Sequence, residues 1–372
     1  MAEKEGLPIG IGDLITIDPN GDVILECRDK DMNITKDFLV SRKILQLASP
    51  VFVGMFRPDF KEGTQLLHAG RPVIELQEDD PSTMSLILEI LHFRYDIKDD
   101  DINAERLARL ATHSDKYDLS RALSSWVPFW FEKVVNMIEP SDDLGLTLLA
   151  AYTFNDVEKF QSISGMALKK LSPGFDDGWE SQDLMALLPT NISGWLAQMR
   201  FCQAIADSFA DALAIRIKKT LDNIETEIQN MEASLRLSLS SYEMSQRMCT
   251  SCGRALPEQA KKCHPCNNSD LPPKYCTSET RVAEYFAILR KVELWPTLQP
   301  FGECSVSEII FRISCAQKDL KHTCSADSHC PLFLKLNGLT EKARASPSTG
   351  QSHKKDPLPI RCLQEAERQK EI

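Results

Sequence analysis

The chain lacks a long hydrophobic run and has few cysteines in its first two thirds. No apolar stretch approaches the roughly 20 residues needed to span a bilayer, and no early segment combines a basic start with the apolar core of a secretory signal. Of the 12 cysteines among 372 residues, only Cys27 and Cys202 precede residue 249. A small secreted domain held by disulfides would spread its cysteines more evenly. We therefore expect an intracellular protein, in the nucleus or the cytoplasm, without a membrane segment.

The sequence also lacks common signatures of enzyme active sites. It contains no P-loop, no GxSxG nucleophile elbow and no HExxH metal-binding helix, so we expect no enzymatic activity. The net charge of −11 disfavours a chain whose main task is to grip nucleic acid. Residues 247–291 carry eight Lys and Arg against four acids. That excess is mild and has few aromatic residues for base stacking, so nucleic acid is a disfavoured partner.

Short strand and helix patterns alternate in residues 21–124. Apolar and polar residues alternate before about residue 40 and again from Val73 to Leu76, which predicts strands. From Ile44 to Met55 the apolar residues recur at helical spacing. Pro50 lies within that run and predicts two short helices, because proline lacks the amide donor and clashes with the preceding turn. Clustered strands followed by helices predict an α+β domain.

The motifs of this region resemble those of BTB/POZ domains. The family's pattern F-x-x-H-K-x-x-L-x-x-x-S-P-x-F-x-x-M-F is matched at Phe38, Leu45, Ser49, Pro50, Phe52, Met55 and Phe56. Ser41 and Arg42 occupy the His and Lys positions of the pattern. The sequence of this stretch is most similar to that of BTB proteins from filamentous fungi. Residues 21–25 resemble the opening strand, 84–91 a central helix and 107–118 the closing helix. The resemblance implies a small mixed sheet with helices, and recruitment of protein partners without chemistry.

The resemblance also implies two sets of functional residues. Phe60 and Glu62 match the apolar-x-Glu motif of members that load substrates onto cullin ubiquitin ligases. Phe60 would enter an apolar pocket of the cullin and Glu62 would present a carboxylate; alternatively, Phe60 packs on its own domain and Glu62 is solvated. Asp22 and Arg42 match the charged pair that lines the pocket of dimeric members. Residues 1–20 contain Gly and Pro and are expected to form a flexible arm, so swapped dimerisation stays open.

Helical patterns continue after the BTB-like region. We expect a helical extension over 125–196 and a long helix over 197–248, because no glycine or proline occurs from Trp195 to Cys252. Apolar residues within it alternate at spacings of four and three, namely Ala210, Ala214, Ile217, Leu221, Ile224, Ile228, Met231 and Leu235. This stripe fits either a coiled-coil seam, with self-association, or a long helix packed within the chain. The leading alternative to self-association is that the helix folds back against the helix near residues 279–294.

Two CxxC pairs predict a metal site in the cysteine-rich region 249–340. Cys249 and Cys252 form the first pair, and Cys263 and Cys266 the second. Two such turns supply the four thiolates that structural zinc prefers, with no open position for catalysis. The alternatives are free thiols or redox chemistry. His264, inside the second pair, is expected to be a bystander.

A second group of candidate ligands follows, with less regular spacing: Cys304, Cys315, His322, Cys324, His329 and Cys330. A second metal site would use Cys315 or His322 together with Cys324 and Cys330; the alternative is a set of buried or surface thiols. Residues 341–372 are rich in Lys, Ser, Gln and Pro and are expected to be a disordered tail.

Three hypotheses of function follow. The first is a non-enzymatic interaction module, specifically a substrate adaptor for a cullin-type ubiquitin ligase. The second is a nuclear regulator whose zinc-containing segment, about residues 240–340, binds nucleic acid. The third is a structural protein that oligomerises through the stripe of the long helix.

Overall fold

The fold was described in a computed structural model that covers residues 13–29, 34–68, 71–94, 102–138, 142–180, 183–187, 209–296 and 298–345. It is a mixed α+β fold with a small N-terminal sheet, many helices and a cysteine-rich C-terminal segment. The predicted fold class is therefore confirmed. The chain divides into an N-terminal unit, residues 1–164 with 179–188, and a C-terminal unit, residues 165–178 with 189–372.

A four-stranded sheet forms one layer of the N-terminal unit. Its strands are β1 (Asp13–Thr16), β2 (Val23–Asp29), β3 (Ile34–Val40) and β4 (Val73–Leu76), in the order β1-β3-β2-β4. β2 is antiparallel to β3, whereas β1 and β4 run parallel to their neighbours. β2 to β4 lie where the alternating pattern predicts strands. Period-two burial explains this in β2, since Val23, Leu25 and Cys27 are fully buried.

The predicted flexible arm is wrong for residues 13–20. Asp13–Thr16 pairs with β3 in register from Lys36 to Leu39, and Ile17 is buried. The run Leu14-Ile15-Thr16-Ile17 is short and lies between glycine and proline residues. The sequence pattern therefore did not predict a strand there. Residues 1–12 lie outside the described residues.

Two short helices follow β3, separated at the predicted proline. They are α1 (Arg42–Ala48) and α2 (Pro50–Met55). Between them, the Ser49 hydroxyl accepts from the Phe52 amide at 3.1 Å and donates to the Tyr117 carbonyl at 2.5 Å. The Phe52 ring stacks on the Tyr117 ring at 4.9 Å between centroids. Ser49 therefore both caps α2 and fixes it to the helix that ends before Tyr117.

The remaining helices of the first half cover the predicted helical regions. They are α3 (Lys61–His68), α4 (Pro81–Leu91), α5 (Ala104–Lys116), α6 (Ser120–Leu123), α7 (Val127–Val135), α8 (Asp142–Thr153), α9 (Val157–Lys170) and α10 (Phe175–Glu180), followed by the 3₁₀ helix Asp183–Leu187. α8 packs against α5 and is buried from Leu144 to Ala151. Part of the predicted extension is thus core of the N-terminal unit.

In its described residues, the C-terminal unit contains a long helix, α11 (Phe209–Arg236), and a three-stranded sheet. The strands are β5 (Tyr242–Met248), β6 (Ala255–Pro257) and β7 (Pro273–Cys276), in the order β6-β5-β7. Four helices follow: α12 (Ser278–Lys291), α13 (Leu298–Glu303), α14 (Val306–Asp319) and α15 (Pro331–Ala345), with a 3₁₀ turn at Asp327–His329.

The predicted long helix over 197–248 needs two corrections. It ends at Arg236, and Tyr242–Met248 is a strand; residues 197–208 lie outside the described residues. Ile217 to Leu235 of the stripe are buried against α12 and α15 of the same unit. The stripe is therefore intramolecular core, and its coiled-coil interpretation is wrong. The alternative, folding back against 279–294, is what the structure shows.

The predicted disordered tail begins too early. α15 continues to Ala345 because Leu339 and Ala343, four residues apart, are both buried. Lys342 pairs with Glu227 of α11 at 2.7 Å. Residues 346–372 lie outside the described residues. In the described part of the chain, every helix is too short or too polar to cross a bilayer.

Two candidate metal centres and an exposed phenylalanine

The four cysteines of the two CxxC pairs meet at one end of the three-stranded sheet. Cys249 directly follows β5, and the second pair lies in the connection from β6 to β7. Their sulfur atoms all lie within 4.8 Å of one another. Leu271, Leu256 and Ala260 pack around the buried Cys249 and Cys263. A small apolar shell thus holds the first candidate centre.

Both CxxC turns have the same backbone geometry. The amide of Gly253 donates to the Cys249 carbonyl at 2.9 Å, and the amide of Asn267 donates to the Cys263 carbonyl at 2.7 Å. Gly253 and Asn267 both adopt the left-handed region, with φ of 66° and 61°. Glycine and asparagine tolerate that region best. The residue after each pair therefore lets the chain turn back beneath the sulfurs.

The sulfur positions suit a tetrahedral metal rather than disulfides. Cys249 and Cys266 are 3.3 Å apart at Sγ, and Cys252 and Cys263 are 3.5 Å apart. A disulfide requires about 2.05 Å. A tetrahedron with metal–sulfur bonds of about 2.3 Å has sulfur–sulfur edges of about 3.8 Å. The four side chains can thus hold a metal ion.

The charge state of these thiols depends on their surroundings. Burial disfavours the Cys249 thiolate, but the Cys252 amide and the Cys266 thiol, by hydrogen bonding, lower the pKa of Cys249 to about 6. Burial raises the pKa of Cys263 to about 12. Four thiolates this close repel one another unless a cation lies between them. The arrangement therefore favours a divalent cation as the ligand.

A second group of four ligand atoms lies at the other end of β5. It consists of Cys276, His322, Cys324 and Cys330, with all ligand atoms within 4.8 Å of one another. Cys276 ends β7 and is paired with Tyr242; Cys324 forms a bridge with Met244. The group can hold a metal ion.

The second centre corrects the predicted ligand set. Of the two options, His322 is brought to Cys324 and Cys330, whereas Cys315 is not part of the group. Cys304 and His329 are not part of it either, and neither is His264 part of the first group. Cys276 was missed because its spacing from Cys324 is long and only the pairing of β7 with β5 brings it near. No local signal in the sequence marks it.

Phe60 lies on the surface between α2 and α3. Its side chain is 53% exposed. The Phe60 amide donates to the Arg57 carbonyl at 3.1 Å, and its carbonyl accepts from the Thr64 amide at 2.9 Å. Glu62, half-buried, stands in the first turn of α3. The backbone is thus fixed at both sides of Phe60, and about half of the residue is open to solvent.

Asp22 and Arg42 are in contact, as the predicted pair requires. Asp22 accepts from the Arg42 amide at 2.8 Å, and its other oxygen lies 3.3 Å from Nε of Arg42. Asp22 thereby satisfies an amide at the start of α1. Both side chains are partly exposed, so the ion pair contributes about 0–1 kcal/mol. The visible role of the pair is to fix the start of α1.

No protein-family model matches the chain, and no curated protein matches its sequence.

Proposed function

We propose that this chain is a non-enzymatic protein-interaction module of the BTB/POZ type that recruits a substrate to a cullin-type ubiquitin ligase. The N-terminal unit supports the proposal, because its strands β2 to β4 and helices α1 to α5 lie along the stretch that carries the matched motifs. The break between α1 and α2 lies at Ser49-Pro50, as the motif requires.

The exposed Phe60 side chain is the observation that carries the proposal. A large aromatic ring that is half in solvent on a fixed backbone loses little conformational entropy when a partner pocket covers it. Buried aromatic anchors of this kind dominate many interfaces. Glu62 is the second residue of α3. Its carboxylate lies at the start of this helix, where the helix dipole stabilises negative charge. Together they form an apolar anchor beside an oriented charge.

The first candidate centre fits zinc in a structural role. Four thiolates in a closed tetrahedron leave no open coordination position for a substrate or water. The surrounding strands are short and the apolar shell is small, so this segment needs a metal to hold its fold. Cys249, Cys252, Cys263 and Cys266 are the proposed ligands. Zinc thus supports the interaction module without chemistry of its own.

Purification of the tagged chain from its native host tests the cullin proposal. Wild type is compared with the double substitution Phe60→Ala and Glu62→Ala, and co-purifying cullin is quantified by mass spectrometry. Phe311→Ala is the matched control, because Phe311 is also an exposed phenylalanine, at 66%, but belongs to the C-terminal unit.

We expect cullin with wild type and with Phe311→Ala, and loss of cullin with the double substitution. Circular dichroism of the double variant should match that of wild type, because both side chains are largely outside the core. Equal recovery of cullin from all three proteins, or none from wild type, contradicts the proposal.

A further inference from the structure

Arg281 is a fully buried cation that forms no ion pair with a carboxylate of the described residues. Its side chain has 0% exposure. Among the described residues, its hydrogen bonds go to the carbonyl oxygens of Ser238, Ser240 and Cys276 and to Sγ of Cys276. A buried charge is costly unless opposite charge lies nearby. None of these hydrogen-bond partners carries a full negative charge, so an anionic group beside Arg281 would stabilise it.

The second group of ligand atoms is where that charge would arise. Nη1 of Arg281 lies 3.4 Å from Sγ of Cys276, and Sγ of Cys276 lies 3.8 Å from Sγ of Cys330. Three cysteine thiolates and one neutral histidine around a divalent cation carry a net charge of about −1. The guanidinium of Arg281 would balance that charge. A metal site at these ligands would therefore account for a buried arginine beside Cys276.

His322 is oriented for coordination through one nitrogen. Its Nδ1 lies 2.5 Å from a carboxylate oxygen of Glu284, and its Nε2 lies 3.3 Å from Sγ of Cys330. A ligating histidine commonly donates its other ring N–H to a carboxylate, which fixes the tautomer and the ring. Glu284 leaves Nε2 free to face the three sulfurs. The histidine therefore stands in a carboxylate–histidine–metal arrangement.

The ligands of this group are mostly inaccessible to solvent. Cys276 and Cys330 are fully buried and Cys324 is 9% exposed, while the His322 side chain is 2% exposed. The sulfur–sulfur distance of 3.8 Å agrees with the edge of about 3.8 Å in a zinc–sulfur tetrahedron. Four protein ligands complete a tetrahedron and leave no open position for a substrate or water, so the site is closed.

We propose that Cys276, His322, Cys324 and Cys330 form a second structural zinc site, with Glu284 orienting the histidine and Arg281 balancing the charge. It is independent of the cullin proposal. The site joins β7 and α12 to the segment that leads into α15, residues that are up to 54 positions apart. β5 touches both centres: its last residue precedes Cys249, and its first pairs with Cys276. Its seven residues span about 20 Å.

Zinc content of the purified full-length chain tests the proposal. We expect two zinc ions per chain in wild type, one in Cys324→Ser and one in Cys252→Ser. The matched control is Cys315→Ser, which removes a half-buried thiol of α14 outside both groups and should keep two. One zinc ion per wild-type chain, or two in Cys324→Ser, overturns the proposal.

A second variant keeps the test decisive if Cys324→Ser does not fold. His322→Cys retains four ligands and should keep two metal ions. With cobalt(II) in place of zinc, wild type should show the sum of a four-sulfur and a three-sulfur-one-nitrogen spectrum, and His322→Cys should shift the second component towards the first. A cobalt spectrum that is the same in wild type and in His322→Cys overturns the assignment of His322.

Discussion

Nη1 of Arg281 lies 3.0 Å from the carbonyl oxygen of Cys276 and 3.4 Å from its sulfur. Nη2 of the same guanidinium donates to the carbonyls of Ser238 and Ser240. One buried side chain thus joins the end of β7 to the segment between α11 and β5. It links the packing of the C-terminal unit to the charge of the proposed second zinc site.

Replacement of Arg281 by methionine should weaken the second site. The substitution keeps much of the volume but removes the charge and four hydrogen bonds, two buried and two partly buried, so we expect a loss of about 2–5 kcal/mol in unfolding free energy. Zinc should leave the second site at lower chelator concentration than in wild type. Arg290→Met, on the exposed side of the same helix, is the control. Unchanged zinc release from Arg281→Met would show that the arginine does not balance the site.

Loss of the second site should cost more stability than loss of the first. The second joins residues 54 positions apart and the first residues 17 apart. Loop-closure entropy grows with the logarithm of loop length, which gives a difference of about 1 kcal/mol. Urea denaturation of Cys324→Ser and Cys252→Ser measures it. A greater loss in Cys252→Ser would contradict the expectation.

The buried hydroxyl of Tyr285 offers a test of how α11 is held. It donates to the Ile228 carbonyl at 2.8 Å, and Tyr285 is fully buried. Tyr285→Phe should lower the unfolding free energy by about 1 kcal/mol, because one buried hydrogen bond between the two helices is lost. Tyr275→Phe is the control, since Tyr275 is 49% exposed. An equal effect in both variants would argue that α11 is not fixed by this bond.

His92 should make the N-terminal unit sensitive to mild acid. Its Nε2 accepts from the Ser41 amide at 3.1 Å and its Nδ1 donates to the Leu88 carbonyl at 2.8 Å, a set of bonds that requires the neutral ring. Burial lowers the pKa of His92 below its usual value near 6.5. As pH falls below about 6.5, the unfolded chain takes up a proton that the folded unit resists, so stability decreases.

Urea denaturation at pH 7.5 and pH 5.5 checks this sign. Between pH 7.5 and pH 5.5, His92→Gln should lose less unfolding free energy than wild type. The control His264→Gln, at an exposed position of the C-terminal unit, should behave like wild type. If His92→Gln loses as much unfolding free energy as wild type, His92 is not the cause of the acid sensitivity.

The sequence predicted features whose causes are local. Alternation marked β2 to β4, Pro50 marked the break before α2, and the CxxC spacing marked four ligands that the fold brings together. β1 was missed because four residues between glycine and proline give little periodicity. The helix stripe shows that periodicity identifies a buried face but not what covers it. Cys276 was missed because a strand pairing, not a spacing, brings it to His322.

The most direct test of the cullin-adaptor proposal is a binding measurement. It gives the affinity of the purified chain for the purified N-terminal part of a cullin from the same organism. Isothermal titration should give saturable binding for wild type. Loss of a central aromatic anchor costs about 2 kcal/mol or more, so Phe60→Ala should bind roughly 30-fold more weakly. Phe60→Leu should bind more tightly than Phe60→Ala but less tightly than wild type. The control Phe311→Ala should bind with the affinity of wild type. Equal affinity of wild type and Phe60→Ala, or no binding by wild type, would contradict the proposed function.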